Sequence, residues 1–259
     1  MKEFFGFGGY KRPVEGFLSW QHLTFVSVLM VIMIACAVFL GLKTRNKDMK
    51  TKNKVLVWTA ILIDGVELFK IVLFCIRGKD PWGWFDLLPL YFCSMQLIAI
   101  PLCAFSKGKV KEASLDFVFI FGLVAGIIGT YGAGNNYSTY PVLCIDNVVS
   151  GITHTISGFA SLYVAIAKMM TMRKENAYIT GVILLVFCVL AFIANAMFDC
   201  NYMFLRRGDG TPYDLVYNWV NGNKYLYPTL VILLFLVYIA VFYLVYHLIA
   251  KIIRKRKNK

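Results

Sequence analysis

Seven long apolar runs, joined by short polar segments, decide what this chain can fold into. They lie at about Trp20–Leu42, Lys54–Ile76, Phe85–Phe105, Asp116–Tyr131, Ile145–Ala167, Ala177–Phe198 and Leu226–Ile253. At a helical rise of about 1.5 Å per residue, each crosses or nearly crosses a hydrocarbon core of about 30 Å. Backbone amides find no water there, so such runs must bond internally as helices. The expectation is an all-α fold: a polytopic membrane helix bundle of seven transmembrane helices, with residues 1–259 as a single domain. The chain is 59% hydrophobic and 16% charged, whereas soluble domains average roughly 45–50% and about 25%. The first run is long and lacks the cleavage site of a signal peptide, so it is expected to stay as a helix.

The formal charge of +13 is distributed as topology would distribute it. Segments after the first, third, fifth and seventh runs carry 18 Lys and Arg, and the N-terminal tail and remaining loops carry 8. The positive-inside rule then places the N-terminus outside and the C-terminus in the cytoplasm. No aromatic interleaving accompanies the basic residues, so no nucleic acid is expected as a partner. Membrane phospholipids are expected, with anionic headgroups at the basic cytoplasmic face. The oligomeric state is not legible from the sequence.

Seven cysteines are scattered without a C-x-x-C pair or Cys/His spacing suited to zinc, so no metal and no cofactor is expected. Cys144 and Cys200 both fall at the expected outer face and offer a lesser possibility, a disulfide between the fifth and sixth spans.

Polar residues inside the spans carry the functional signal, because their burial in lipid is costly. The second span holds Asp64, Glu67 and Lys70, three residues apart. The third contains Pro89, Cys93, Gln96 and Pro101, and its prolines should bend it. In the fourth, Gly122, Gly126 and Gly129 permit close approach of a neighbour. A loop over residues 132–144 reads as an outer lid. The fifth span carries Asn147, Ser150, His154, Ser157 and Ser161 at spacings of 3, 4, 3 and 4, one helical face. His22 opens the first span at the outer interface, and Asn195, Asn201 and Tyr202 lie at and beyond the end of the sixth.

Counted from the outer ends, Cys93, His154 and Glu67 all fall roughly 12–14 Å deep. A thiol needs deprotonation to become a nucleophile, and an imidazole at the same level can take the proton. Glu67, Asn147 or Asn195 could orient that imidazole, while Gln96, Asn201, Tyr202 and His22 are further orienting or substrate-binding candidates. At that depth the natural substrate is a lipid acyl ester. Two other readings stay open: a small-solute pathway along Asp64, Glu67 and Lys70, and polar residues that only lock helices together.

The segments Leu88-Pro89-Leu90-Tyr91-Phe92-Cys93, Ile152-Thr153-His154 and Asn201-Tyr202-Met203-Phe204-Leu205, with Asn195, His22 and Glu67-x-x-Lys70, resemble the YwaF-type bacterial integral membrane proteins. Those are similar to the transmembrane protein 164 family of animals, and the resemblance covers nearly the whole chain. It implies a bacterial plasma-membrane protein and a CoA-independent phospholipid acyltransferase, with Cys93 forming an acyl-enzyme and His154 as its base. Tyr91 stands where many relatives carry histidine, which leaves His154 as the deep base.

Overall fold

In the computed structural model, residues 2–80 and 82–257 are described, the side chains of Asp86 and Lys257 excepted. Among the described residues nine α-helices form: α1 (Trp20–Thr44), α2 (Met49–Gly78), α3 (Gln96–Phe105), α4 (Gly108–Tyr131), α5 (Gly134–Thr139), α6 (Ile145–Ile166), α7 (Lys174–Phe198), α8 (Tyr213–Trp219) and α9 (Leu226–Lys257). Among the described residues there are no strands. Five helices, α1, α4, α6, α7 and α9, are long and apolar enough to cross a membrane.

The expected third span is not one helix. Residues Gly83–Leu87 form a 3-10 turn, residues 88–95 run as irregular turns, and only Gln96–Phe105 is α-helical. Proline explains the break: Leu88, preceding Pro89, adopts φ −57°, ψ 145°, the extended conformation that a following proline favours. Helix α2 is continuous over 30 residues but carries Asp64, Glu67 and Lys70 in its middle.

Local signals explain several helix ends. Ser19 caps α1 by accepting from His22 N at 3.2 Å, and Asp48 caps α2 by accepting from Thr51 N at 3.4 Å. Lys79, at φ +51°, closes α2 in the left-handed conformation. Lys111 Nζ donates to the Cys103 carbonyl at 2.8 Å and Asn53 Nδ2 to the Ala104 carbonyl at 2.8 Å, satisfying the last turn of α3.

The tightest packing is between α4 and α6. A Cβ at Gly122 would lie 2.7 Å from the Ser157 carbonyl oxygen, and one at Gly126 would lie 3.0 Å from Gly158 Cα. The glycine spacing therefore produces the close approach the sequence anticipates. Ser161 Oγ crosses the seam to donate to the Phe119 carbonyl at 2.7 Å. Helix α2 packs on both α3 and α6, and α3 packs on α4.

Contacts also define the two ends of the bundle. Arg77, at the end of α2, pairs with Asp146, at the start of α6, through two bonds of 2.6 and 2.8 Å. The N-terminal tail joins them: Arg77 bonds the Phe5 carbonyl at 3.4 Å, and Ile145 N bonds the Phe4 carbonyl at 3.0 Å. The other end gathers the start of α2, the end of α3 and the start of α4 through Asn53 and Lys111. Asp116, fully buried near that end, accepts from Thr171 N, Met172 N, Asn176 Nδ2 and Tyr243 Oη, tying α4, α7 and α9 together.

Candidate functional site

Cys93 lies in the irregular segment between Pro89 and α3. Its thiol is partly buried, with Ser94 Oγ 3.9 Å away. Irregular backbone within a membrane bundle is tolerated only where protein covers it, and here the flanking Leu90 and Met95 are buried. Tyr202 pins the segment from outside. Its hydroxyl donates to the Phe85 carbonyl at 2.7 Å and accepts from Leu88 N at 3.2 Å, and its ring meets Tyr91 edge-on.

His154 projects from α6 into the seam with α4. The ring needs the space left by Gly129, where a Cβ would lie 2.2 Å from Nδ1. That Nδ1 is buried and has no hydrogen-bond partner. Among the described residues no hydrogen bond joins the Cys93 thiol to this imidazole.

Helix α2 packs on both α3 and α6. Lys70 forms an ion pair with Glu67 one turn earlier, and the carboxylate is the more buried partner, 9% exposed against 27%. Glu67 is thus paired with Lys70, and among the described residues no contact makes it the orienting partner of the imidazole. Asp64 points elsewhere, into a shallow groove that it lines with Leu97, Ile98, Pro101, Leu102 and Phe105.

Gln96, the first residue of α3, is 1% exposed, and neither of its amide atoms has a partner. The remaining candidates serve the cap over this end of the bundle. His22 accepts from Leu18 N at 3.1 Å through Nδ1, meets the Thr130 carbonyl at 3.1 Å through Nε2, and stacks on Tyr137. Asn147 Nδ2 bonds the Pro141 carbonyl at 3.0 Å, which holds the 132–144 segment onto α6. Asn195 exchanges two bonds with the Tyr202 backbone, at 2.6 and 3.0 Å. Asn201 accepts from Arg206 N at 2.9 Å and donates to the Arg207 carbonyl at 2.8 Å. These two asparagines orient Tyr202, and Tyr202 orients the cysteine segment. Cys144 and Cys200 are not disulfide-bonded: the Cys200 thiol donates to the Phe198 carbonyl at 3.4 Å, and Cys144 is buried at the head of α6.

The sequence undervalued Lys70, which it read only as part of a charge cluster. Its signal was the Glu67-x-x-Lys70 spacing, one helical turn, in a span that also faces the cysteine helix. Tyr202 was foreseen as a candidate but not as a clamp.

Apolar helices of spanning length, with the His154 imidazole nitrogen and the Gln96 carboxamide buried without partners among them, define an integral membrane protein. The TMEM164 family profile matches residues 17–252, most of the chain, and the protein belongs to that family. No curated protein and no solved structure matches the chain.

Proposed function

We propose that this protein is a membrane-embedded lipid acyltransferase that carries the acyl group on Cys93. The observation that carries the reading is an imidazole whose buried Nδ1 has no partner among the described residues, in a bundle that also holds a half-buried thiol on the broken segment before α3. A buried imidazole nitrogen left unbonded is costly, and proton transfer is work that would justify it. In this reading His154 takes the thiol proton, and the sulfur adds to the ester carbonyl carbon of a phospholipid. The ester C–O bond then breaks, the lysolipid oxygen takes the proton from His154, and a thioester remains on Cys93. A second lysolipid hydroxyl, or water, reverses these steps to release the acyl group. Lys70 favours the thiolate by its charge.

Purified protein incubated with a defined phospholipid tests this by intact mass. An adduct of the acyl mass on Cys93, absent in Cys93→Ser, is expected. A Cys93→Ser protein with full lipid-remodelling activity would refute it.

The contacts at the two ends support seven crossings rather than five. The start of α1, the end of α2 and the start of α6 meet at one end, through the tail, Arg77 and Asp146. The start of α2, the end of α3 and the start of α4 meet at the other. We infer that α2 and the broken segment 83–105 each cross. The Lys and Arg distribution then supports an outer N-terminus and a cytoplasmic C-terminus, with Lys251, Arg254, Lys255 and Arg256 at anionic headgroups. A solute pathway has less support, because Lys70 is committed to Glu67 while Asp64 faces the groove beside α3.

A further inference from the structure

Gln96 is the most conspicuous unmet polar group in the protein. Two buried amide atoms without partners are costly, and a leucine or methionine would fill the same space without that cost. Hydroxyls on α6, those of Thr155, Ser157 and Ser161, all find carbonyl acceptors.

The backbone entering α3 fixes where the amide lies. Ser94 N bonds the Tyr91 carbonyl at 2.9 Å, Leu97 N bonds that of Ser94 at 3.0 Å, and Ile98 N bonds that of Met95 at 3.1 Å. Bonds between residues four apart, Met95 N to the Tyr91 carbonyl at 3.2 Å and Ala99 N to that of Met95 at 2.9 Å, are interleaved with these. Gln96 follows Cys93 by three residues, at the point where the irregular segment becomes α3, so its carboxamide lies within about one turn of the sulfur along the chain. It carries two N–H donors that have no partner among the described residues.

We propose that the Gln96 carboxamide is the oxyanion donor of the acyl-transfer site: its Nε2 hydrogen-bonds the carbonyl oxygen of the lipid ester as Cys93 attacks. This rests on the acyl-enzyme reading above. As the sulfur–carbon bond forms, the carbonyl π pair moves onto oxygen, and the Nε2–H bond to that oxygen shortens and strengthens. When the pair returns, the ester C–O bond breaks and the lysolipid alkoxide is protonated by His154. The donor acts on the developing charge, so its contribution appears in the rate of acylation. It does not alter the nucleophile's readiness toward reagents that have no carbonyl.

That difference is the test. Full-length protein, as wild type and as Gln96→Leu and Gln96→Glu, is mixed with dihexanoyl phosphatidylcholine and quenched at intervals, and the acyl adduct on Cys93 is read by intact mass. In parallel, Cys93 is alkylated with iodoacetamide, which consumes thiolate without forming an oxyanion. The expected result is acylation slowed about a hundredfold or more in both variants, alkylation within threefold of wild type, and thermal stability of Gln96→Leu unchanged or raised. Acylation of Gln96→Leu at the wild-type rate overturns the assignment. An equal fall in acylation and alkylation also overturns it, since Gln96 would then be holding the cysteine or the fold. If wild type forms no adduct, the acyl-enzyme reading fails and takes this proposal with it, an outcome distinct from either of those.

Discussion

The imidazole of His154 rests directly against Gly129, so closely that a methyl group there would lie 2.2 Å from Nδ1 and 2.4 Å from Cε1. Gly129→Ala must therefore push the ring out of its seat. Because the ring can swing, the stability cost should be modest, about 1–3 kcal/mol. The acylation rate of Cys93 should fall at least tenfold. Gly126→Ala provides the contrast: it meets the α6 backbone, with Gly158 Cα at 3.0 Å and the His154 carbonyl at 3.2 Å. Backbone cannot swing away, so this variant should lose more stability by thermal unfolding. If Gly129→Ala acylates normally, the position of the ring is irrelevant to the chemistry.

Lys70 and Glu67 can be separated by a double-mutant cycle. Lys70→Met alone leaves a buried carboxylate uncompensated, and breaking such pairs costs roughly 3 kcal/mol or more. Lys70→Met combined with Glu67→Gln removes both charges, and stability should largely return. Activity should not return, because the cation that the acyl-enzyme reading assigns to thiolate formation is still missing. Iodoacetamide alkylation of Cys93 should be slowed in both variants. Recovery of activity in the double variant would mean that the pair serves only to join helices.

Tyr202→Phe removes one hydroxyl that serves two backbone groups, the Phe85 carbonyl and Leu88 N. Both would lose a partner, at about 1–3 kcal/mol. The expected consequence is local: faster amide hydrogen exchange over residues 85–95, with little change in α4 or α6. Acylation should drop because Cys93 loses its fixed position. Uniform loosening of the whole bundle would instead mark Tyr202 as a general core residue.

Much of this was legible in the chain. The glycine spacing 122, 126, 129 announced the close α4–α6 contact, and the 3–4 spacing of polar residues on α6 announced which face meets it. The irregular stretch 88–95 was not read as such, although Pro89 marked it, because average hydropathy is blind to a single missing amide donor. Depth along separate helices could match Cys93 with His154, but it carries no information about which faces turn toward each other. His22, Asn147 and Asn195 each bond cap or loop backbone as well, while Asn147 Oδ1 is left without a partner. A polar residue in a membrane span signals that something needs bonding, and the partner is as often a neighbouring carbonyl as a substrate.

Whether α2 and residues 83–105 cross the bilayer has a decisive position, the turn at Lys79–Asp80. Seven crossings and five crossings are both odd, so the two termini lie on opposite sides either way and cannot discriminate. With five, everything between α1 and α4 stays in the cytoplasm, this turn included. With seven, the turn is outside, on the side of the N-terminal tail, to which Arg77 is joined through the Phe5 carbonyl and Asp146. A cysteine introduced by Asp80→Cys should react with a membrane-impermeant maleimide in intact cells, above the background of the native cysteines, as should one at Asn136. One at Lys107 should react only after permeabilisation. Labelling at position 80 that required permeabilisation would place α2 along the membrane rather than through it. The Arg77–Asp146 pair would then have to bridge opposite faces, which 2.6 Å forbids.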